Sequence, residues 1–204
     1  MRLITWNCKG AFHRKHAFAA ALRPDILIVP ECEKPSDEVQ QPLDSPGIRS
    51  FEWFGSKPTK GLAVISYGDY VLEVHPSYDR RHQWIVPLSV SGPVAFVLVA
   101  VWTLPLGNHG GRYVRPLLEA FESYKWLMNE SEVVWAGDFN SSLVFDTPSR
   151  RYKFRDFVAL LNQNGLHSLY HDQRKCEHGE EPDETLRSDH APLVCDFADP
   201  PGVR

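Results

Sequence analysis

DILIVPE, residues 25–31, sets four consecutive apolar residues between Asp25 and Pro30-Glu31. The run neither alternates, as a half-solvated strand does, nor repeats at helical spacing. It therefore reads as a strand covered on both faces. Such a strand needs layers above and below it, and the flanking sequence supplies them. RLITW (2–6) reads as a strand and HRKHAFAAAL (13–22) as a helix, so the chain opens strand, helix, buried strand. Residues 34–60 are rich in Pro, Ser, Gly and charge and read as loop with at most one short strand. GLAVIS (61–66), YVLEVH (70–75), QWIVPLSV (83–90) and VAFVLVAVW (94–102) follow as strands spaced like a meander.

Val114, Leu117, Leu118, Phe121, Tyr124, Leu127 and Met128 recur at three- and four-residue steps and form one helical stripe. VVWAGDF (133–139) is the next strand, and FRDFVALLNQ (154–163) a helix with Gly165 as its cap. LHSLY (166–170) reads as a short strand, 171–188 as an acid-rich loop, APLVCDF (191–197) as the last strand and 198–204 as a tail. The expected class is α/β, with two layers of sheet and helices outside. At 204 residues the simplest organisation is one domain, 1–204.

Composition narrows the function. Hydrophobic residues at 43% and charged residues at 24% are those of a globular protein that folds around its own core. No run of 18 apolar residues marks a membrane span, and MRLITWNCKG lacks the apolar stretch of a signal peptide. Cys8, Cys32, Cys176 and Cys195 show no dense spacing and read as free thiols in a reducing compartment, which makes cytoplasm the expected location. A net charge of −4 argues against strong backbone-driven binding to nucleic acid, while leaving room for a local basic groove.

Four polar groups stand at the ends of the strand-like runs. Asn7 follows RLITW, Glu31 ends DILIVPE, Asp138 and Asn140 follow VVWAG, and Asp189-His190 precedes APLVCDF. One acid at a strand end is ordinarily a turn former. Four such groups, with carboxylate and amide oxygens and one imidazole, suit Mg²⁺ or Mn²⁺ better than zinc. A divalent ion beside a histidine able to accept a proton from water points to phosphoester hydrolysis. Strand alternation puts Asp138 and Asn140 on one side and turns Phe139 into the packing. His167, His171, Cys176 and His178 fit no standard zinc spacing, and Arg80, Arg81, His82, Arg112 and Arg115 read as a solvated face or as phosphate contacts.

TWN (5–7), PDILIVPE (24–31), GLAVIS (61–66), GDFN (137–140) and SDH (188–190) also occur in an order that resembles the endonuclease/exonuclease/phosphatase family of metal-dependent phosphoesterases. That resemblance implies a four-layer sandwich, two packed mixed β-sheets flanked by helices. It implies Glu31 as the main metal ligand with Asn7 beside it, and Asp189 at the metal side. Asp138 is implied as orienting water or assisting the metal, Asn140 as contacting the scissile phosphate, and His190 as the catalytic histidine. The chain departs from the pattern in its shortened C-terminal region. Where the family places a strand Asp that holds the histidine, residues 171–187 read HDQRKCEHGEEPDETLR, leaving only loop carboxylates such as Asp172, Asp183 and Glu184. The expected substrate is a nuclease-type phosphodiester, with nucleic acid as partner. A small phosphorylated metabolite or lipid head group is the alternative, as is phosphate binding without turnover.

Overall fold

A computed structural model describes residues 1–36, 47–105, 113–169, 172 and 192–198. The strands β1 (Arg2–Thr5), β2 (Ile26–Cys32), β3 (Ile48–Lys57), β4 (Lys60–Tyr67) and β9 (Leu193–Asp196) form one sheet in the order β3-β4-β2-β1-β9. The second sheet runs β5 (Val71–Val74), β6 (Ile85–Ser91), β7 (Phe96–Trp102), β8 (Val133–Asp138), in that order. Each sheet is mixed, with one parallel pair: β1 with β2, and β7 with β8. Parallel neighbours need a crossover, supplied by α1 (Phe12–Ala21) in the first sheet and α2 (Val114–Tyr124) in the second. A third helix, α3 (Phe154–Gln163), packs with α2.

The buried run of β2 shows why the layers form. Ile26, Leu27, Ile28 and Val29 are all fully buried. Ile26 and Ile28 join Leu88, Leu98 and Ala100 in the core between the sheets, while Leu27 and Val29 pack with Phe12 and Ala19 of α1. The same alternation splits β7: Leu98 and Ala100 face inward, and Val97, Val99 and Val101 face Leu117, Phe121 and Phe157 of the outer helices. The result is a helix-sheet-sheet-helix sandwich, as the sequence predicts. Truncating one of these core side chains, such as Leu98→Ala, costs about 2–5 kcal/mol.

Four local expectations differ from the structure. Residues 48–57 are a ten-residue strand rather than loop, because Phe51, Trp53 and Phe54 find partners on β4 that their Gly- and Pro-rich flanks conceal. β4 does not continue the meander: it pairs with β2 and β3, and the chain changes sheets between Tyr67 and Val71. Residues 166–168 are not a strand and Leu169 is helical. The helix over 114–128 also tightens into a 3₁₀ turn at Lys125–Asn129.

Candidate active site

Strand direction gathers the motif residues. β1, β2, β7 and β8 end, and β4, β6 and β9 begin, at the same edge of the sandwich. Asn7 lies just beyond β1, where Trp6 extends the ladder by donating its N–H to the Ile28 carbonyl at 3.0 Å. Its amide is held at both ends: Nδ2 donates to Asp138 Oδ2 at 2.8 Å, and Oδ1 accepts the Lys9 N–H at 3.0 Å. Asn7 is 6% exposed, so this pairing across the two sheets is largely shielded from water.

Asp138 closes β8. Its Oδ1 accepts the backbone N–H of Asn140 at 3.0 Å, an Asx turn that carries Asn140 into the left-handed region at φ +46°. The nearness of Asp138 and Asn140 therefore comes from this turn, not from strand alternation, since β8 ends at Asp138. Phe139 does turn into the packing, against Phe157. Thr103, beyond β7, fastens the turn three times: its N–H donates to the Asp138 carbonyl (3.0 Å), its hydroxyl donates to the Phe139 carbonyl (2.5 Å), and its carbonyl accepts from Asn140 Nδ2 (3.0 Å). Gly137 makes the approach possible. It sits at φ +139°, and a Cβ there would stand 1.9 Å from the Val101 carbonyl oxygen.

Glu31 owes its position to a bulge. Val29 pairs with Ala63 and Cys32 with Gly61, so β2 carries one residue more than β4 across this interval. Pro30 has no N–H to give the ladder, and Glu31 takes φ +60°. The Glu31 carboxylate meets Lys60 Nζ at 2.9 Å, and that ammonium lies 5.7 Å from the centre of the Trp102 ring. Trp102 is core, 1% exposed. Lys60 and Thr103 are the site residues that sequence reasoning missed. A polar β-branched residue directly after an apolar strand was a usable signal for Thr103. Nothing in the sequence sets Lys60 apart from Lys57 or Lys9.

Asp189 and His190 lie outside the described residues, as do Asp183, Glu184, His171, Cys176 and His178. Asp172 is described and exposed. Cys8, Cys32 and Cys195 are free thiols, as expected. Among the described residues no three His, Cys, Asp or Glu side chains converge on one point. The donors at this edge are instead the Glu31 and Asp138 carboxylates and the Asn7 amide, hard oxygens of the kind Mg²⁺ and Mn²⁺ prefer. The Lys60 ammonium, held against Glu31, shows that a cation is accommodated at that carboxylate.

No protein-family model matches the sequence, and no curated protein matches it. Solved structures match by shape. The human Nocturnin catalytic domain with bound sulfate anion is similar over 97% of this chain and 93% of its own, with a TM-score of 0.66 and 16% identity. The endonuclease domain of TRAS1, a telomere-specific non-LTR retrotransposon, is similar over 82% of this chain and 74% of its own, with a TM-score of 0.56 and 17% identity. An endonuclease/exonuclease/phosphatase protein from Beutenbergia cavernae matches over 80% of this chain and 53% of its own, at a TM-score of 0.51 and 17% identity, so the chain spans about half of that relative. The two mixed sheets, their flanking helices and these neighbours agree on one conclusion: the chain has the fold of the endonuclease/exonuclease/phosphatase family.

Proposed function

We propose that this chain is a divalent-metal-dependent phosphoesterase acting on phosphodiester bonds, with nucleic acid as its substrate class. The hydrogen bond between Asn7 and Asp138 carries the reading, because it draws two distant motifs to the edge where Glu31 also emerges. The fold neighbours named above include an endonuclease domain and a catalytic domain holding sulfate, a tetrahedral oxyanion of the same shape as phosphate.

Glu31 and Asn7 would hold Mg²⁺ or Mn²⁺, with Asp189 at the same side. When bound, the ion supplies positive charge against the phosphoryl oxygen on which negative charge builds. The remaining work falls to the chain. Asn140 gives one amide hydrogen to Thr103, so its second is free to meet a non-bridging phosphate oxygen. Asp138 accepts from Asn7 and from the Asn140 backbone, and its remaining lone pairs orient the attacking water. His190 would take the proton from that water, for about 10² to 10⁴ in rate. Chain connectivity supports this role. Leu193 pairs with Thr5 at this edge, and three residues of chain reach no further than about 10 Å.

No described helix is long and apolar enough to cross a membrane. A cytoplasmic location and one domain over 1–204 belong to the same proposal, and a single cooperative unfolding transition checks the second. Turnover of plasmid DNA, abasic-site duplex, single-stranded RNA and a chromogenic phosphodiester with Mg²⁺ or Mn²⁺ tests the function. Glu31→Gln and His190→Ala should each abolish it. Activity surviving both substitutions, or needing no metal, would overturn the assignment.

A further inference from the structure

A cleft of about 600 Å³ opens between the outer edges of the two sheets, lined chiefly by Trp53, Phe54, Tyr78, Arg80, Gln83 and Trp84. We infer that it is a recognition pocket for a nucleobase adjoining the scissile phosphate. The inference rests on the phosphoesterase reading and adds a part of the substrate to it.

Position is the first support. β3 ends, and β6 begins, at the same edge of the sandwich as β2 and β7, so the cleft opens beside the candidate site. Two contact paths tie its walls to Glu31. Trp84 packs edge-on against Trp102 at 5.6 Å between ring centres, and Trp102 lies under the Lys60 ammonium that pairs with Glu31. Trp53 donates its indole N–H to the carbonyl of Cys32, the residue after Glu31, at 3.1 Å.

The second support is a wall built flat and rigid. Phe54 and Tyr78 meet edge to face at 5.7 Å, and the Tyr78 hydroxyl donates to the Gln83 carbonyl at 2.9 Å, fixing the loop that closes the cleft. Fixed aromatic rings lose little entropy on binding, and every base offers a face to stack.

A cationic group at the rim is the third support. Arg81 is committed to Asp79, with Nε at 2.8 Å, whereas Arg80, beside it, lines the cleft and is exposed. A guanidinium at the rim of an aromatic cleft is placed to meet the phosphate next to a stacked base. The volume also falls within the roughly 300–1,000 Å³ of ordinary ligand pockets.

The test compares a four-thymidine single strand with an abasic tetramer carrying the same phosphates. Binding of each is measured by calorimetry in Mg²⁺, alongside turnover. The full chain should bind the base-bearing strand at least tenfold more tightly, the scale of one stacked base. Tyr78→Ala should remove that preference and leave abasic binding unchanged, while Tyr78→Phe retains it. Should Tyr78→Ala fail to fold, Phe54→Leu reads the same preference. Arg80→Ala should weaken both ligands alike and lower the salt slope by about one. Equal binding of the two strands by the parent chain, with turnover intact, would overturn the pocket and spare the phosphoesterase. Selective binding without turnover on any substrate would keep the pocket and overturn the enzyme.

Discussion

Asn7 and Asp138 stand 131 residues apart in the chain and are joined by a 2.8 Å hydrogen bond from one sheet to the other. Replacing Asn7 by Asp sets two carboxylates face to face. The variant should lose about 1–3 kcal/mol, the cost of a broken bond to a charged group. Saturating Mg²⁺ should restore more stability to it than to the parent, because a cation then relieves the repulsion. Urea unfolding with and without Mg²⁺ reads both numbers, and equal Mg²⁺ stabilisation of the two chains would refute metal binding at Asn7.

Lys60 is half exposed, and its pair with Glu31 contributes no more than about 1 kcal/mol to folding. Lys60→Met keeps the bulk over Trp102 and removes the ammonium that competes for Glu31. Mg²⁺ affinity, measured by calorimetry, should rise several-fold with little change in unfolding midpoint. A fall in affinity would mean that Lys60 instead holds Glu31 in readiness for the ion.

Gly137→Ala meets two obstacles, the φ of +139° and the Val101 carbonyl 1.9 Å from the new Cβ. The loss should exceed about 3 kcal/mol, a large value for one methyl group. Thermal unfolding checks this. A variant within 1 kcal/mol of the parent would show that β7 and β8 separate more easily than their register implies.

Acid should loosen the start of α1. Partial burial pushes the Glu33 carboxyl up, but hydrogen bonds from the His13 N–H and ring and the Phe12 N–H outweigh it and hold the group below its ordinary 4.5. A depressed folded value means the contribution is whole above the unfolded value and is lost as pH falls through the folded one. Glu33→Gln should therefore flatten the acid limb of the stability–pH curve below about pH 5 and change its slope little above that. An unchanged acid limb would place the linkage elsewhere.

How far the sequence could be read depended on whether a segment carried its own reason for its shape. The β2 run announces burial on both faces without help, and α3 spans 154–163 as the sequence reading has it. β3 does not announce itself, because its apolar residues are only half buried and acquire meaning from β4. At the site, residue identities were legible and geometry was not. Alternation gave the right neighbours for Asp138 by the wrong route, since the Asx turn and Thr103 set the arrangement. The Glu31 bulge was foreshadowed by Pro30, but its ammonium partner came from another strand and left no trace in local sequence.

The bond between Asn7 and Asp138 also makes the core a spacer. These two groups hang from different sheets, and the gap between the sheets is set by side chains such as Ile28, Leu98 and Ala100, packed in a layer about 10 Å thick. The width of the candidate edge is thus gauged by residues that lie wholly in the core. A bulkier side chain at Ala100 would act as a shim, prising Asn7 from Asp138 while every motif residue stayed in place. The spacing of the candidate site is set from inside, by the volume of its filling as much as by the residues of its rim.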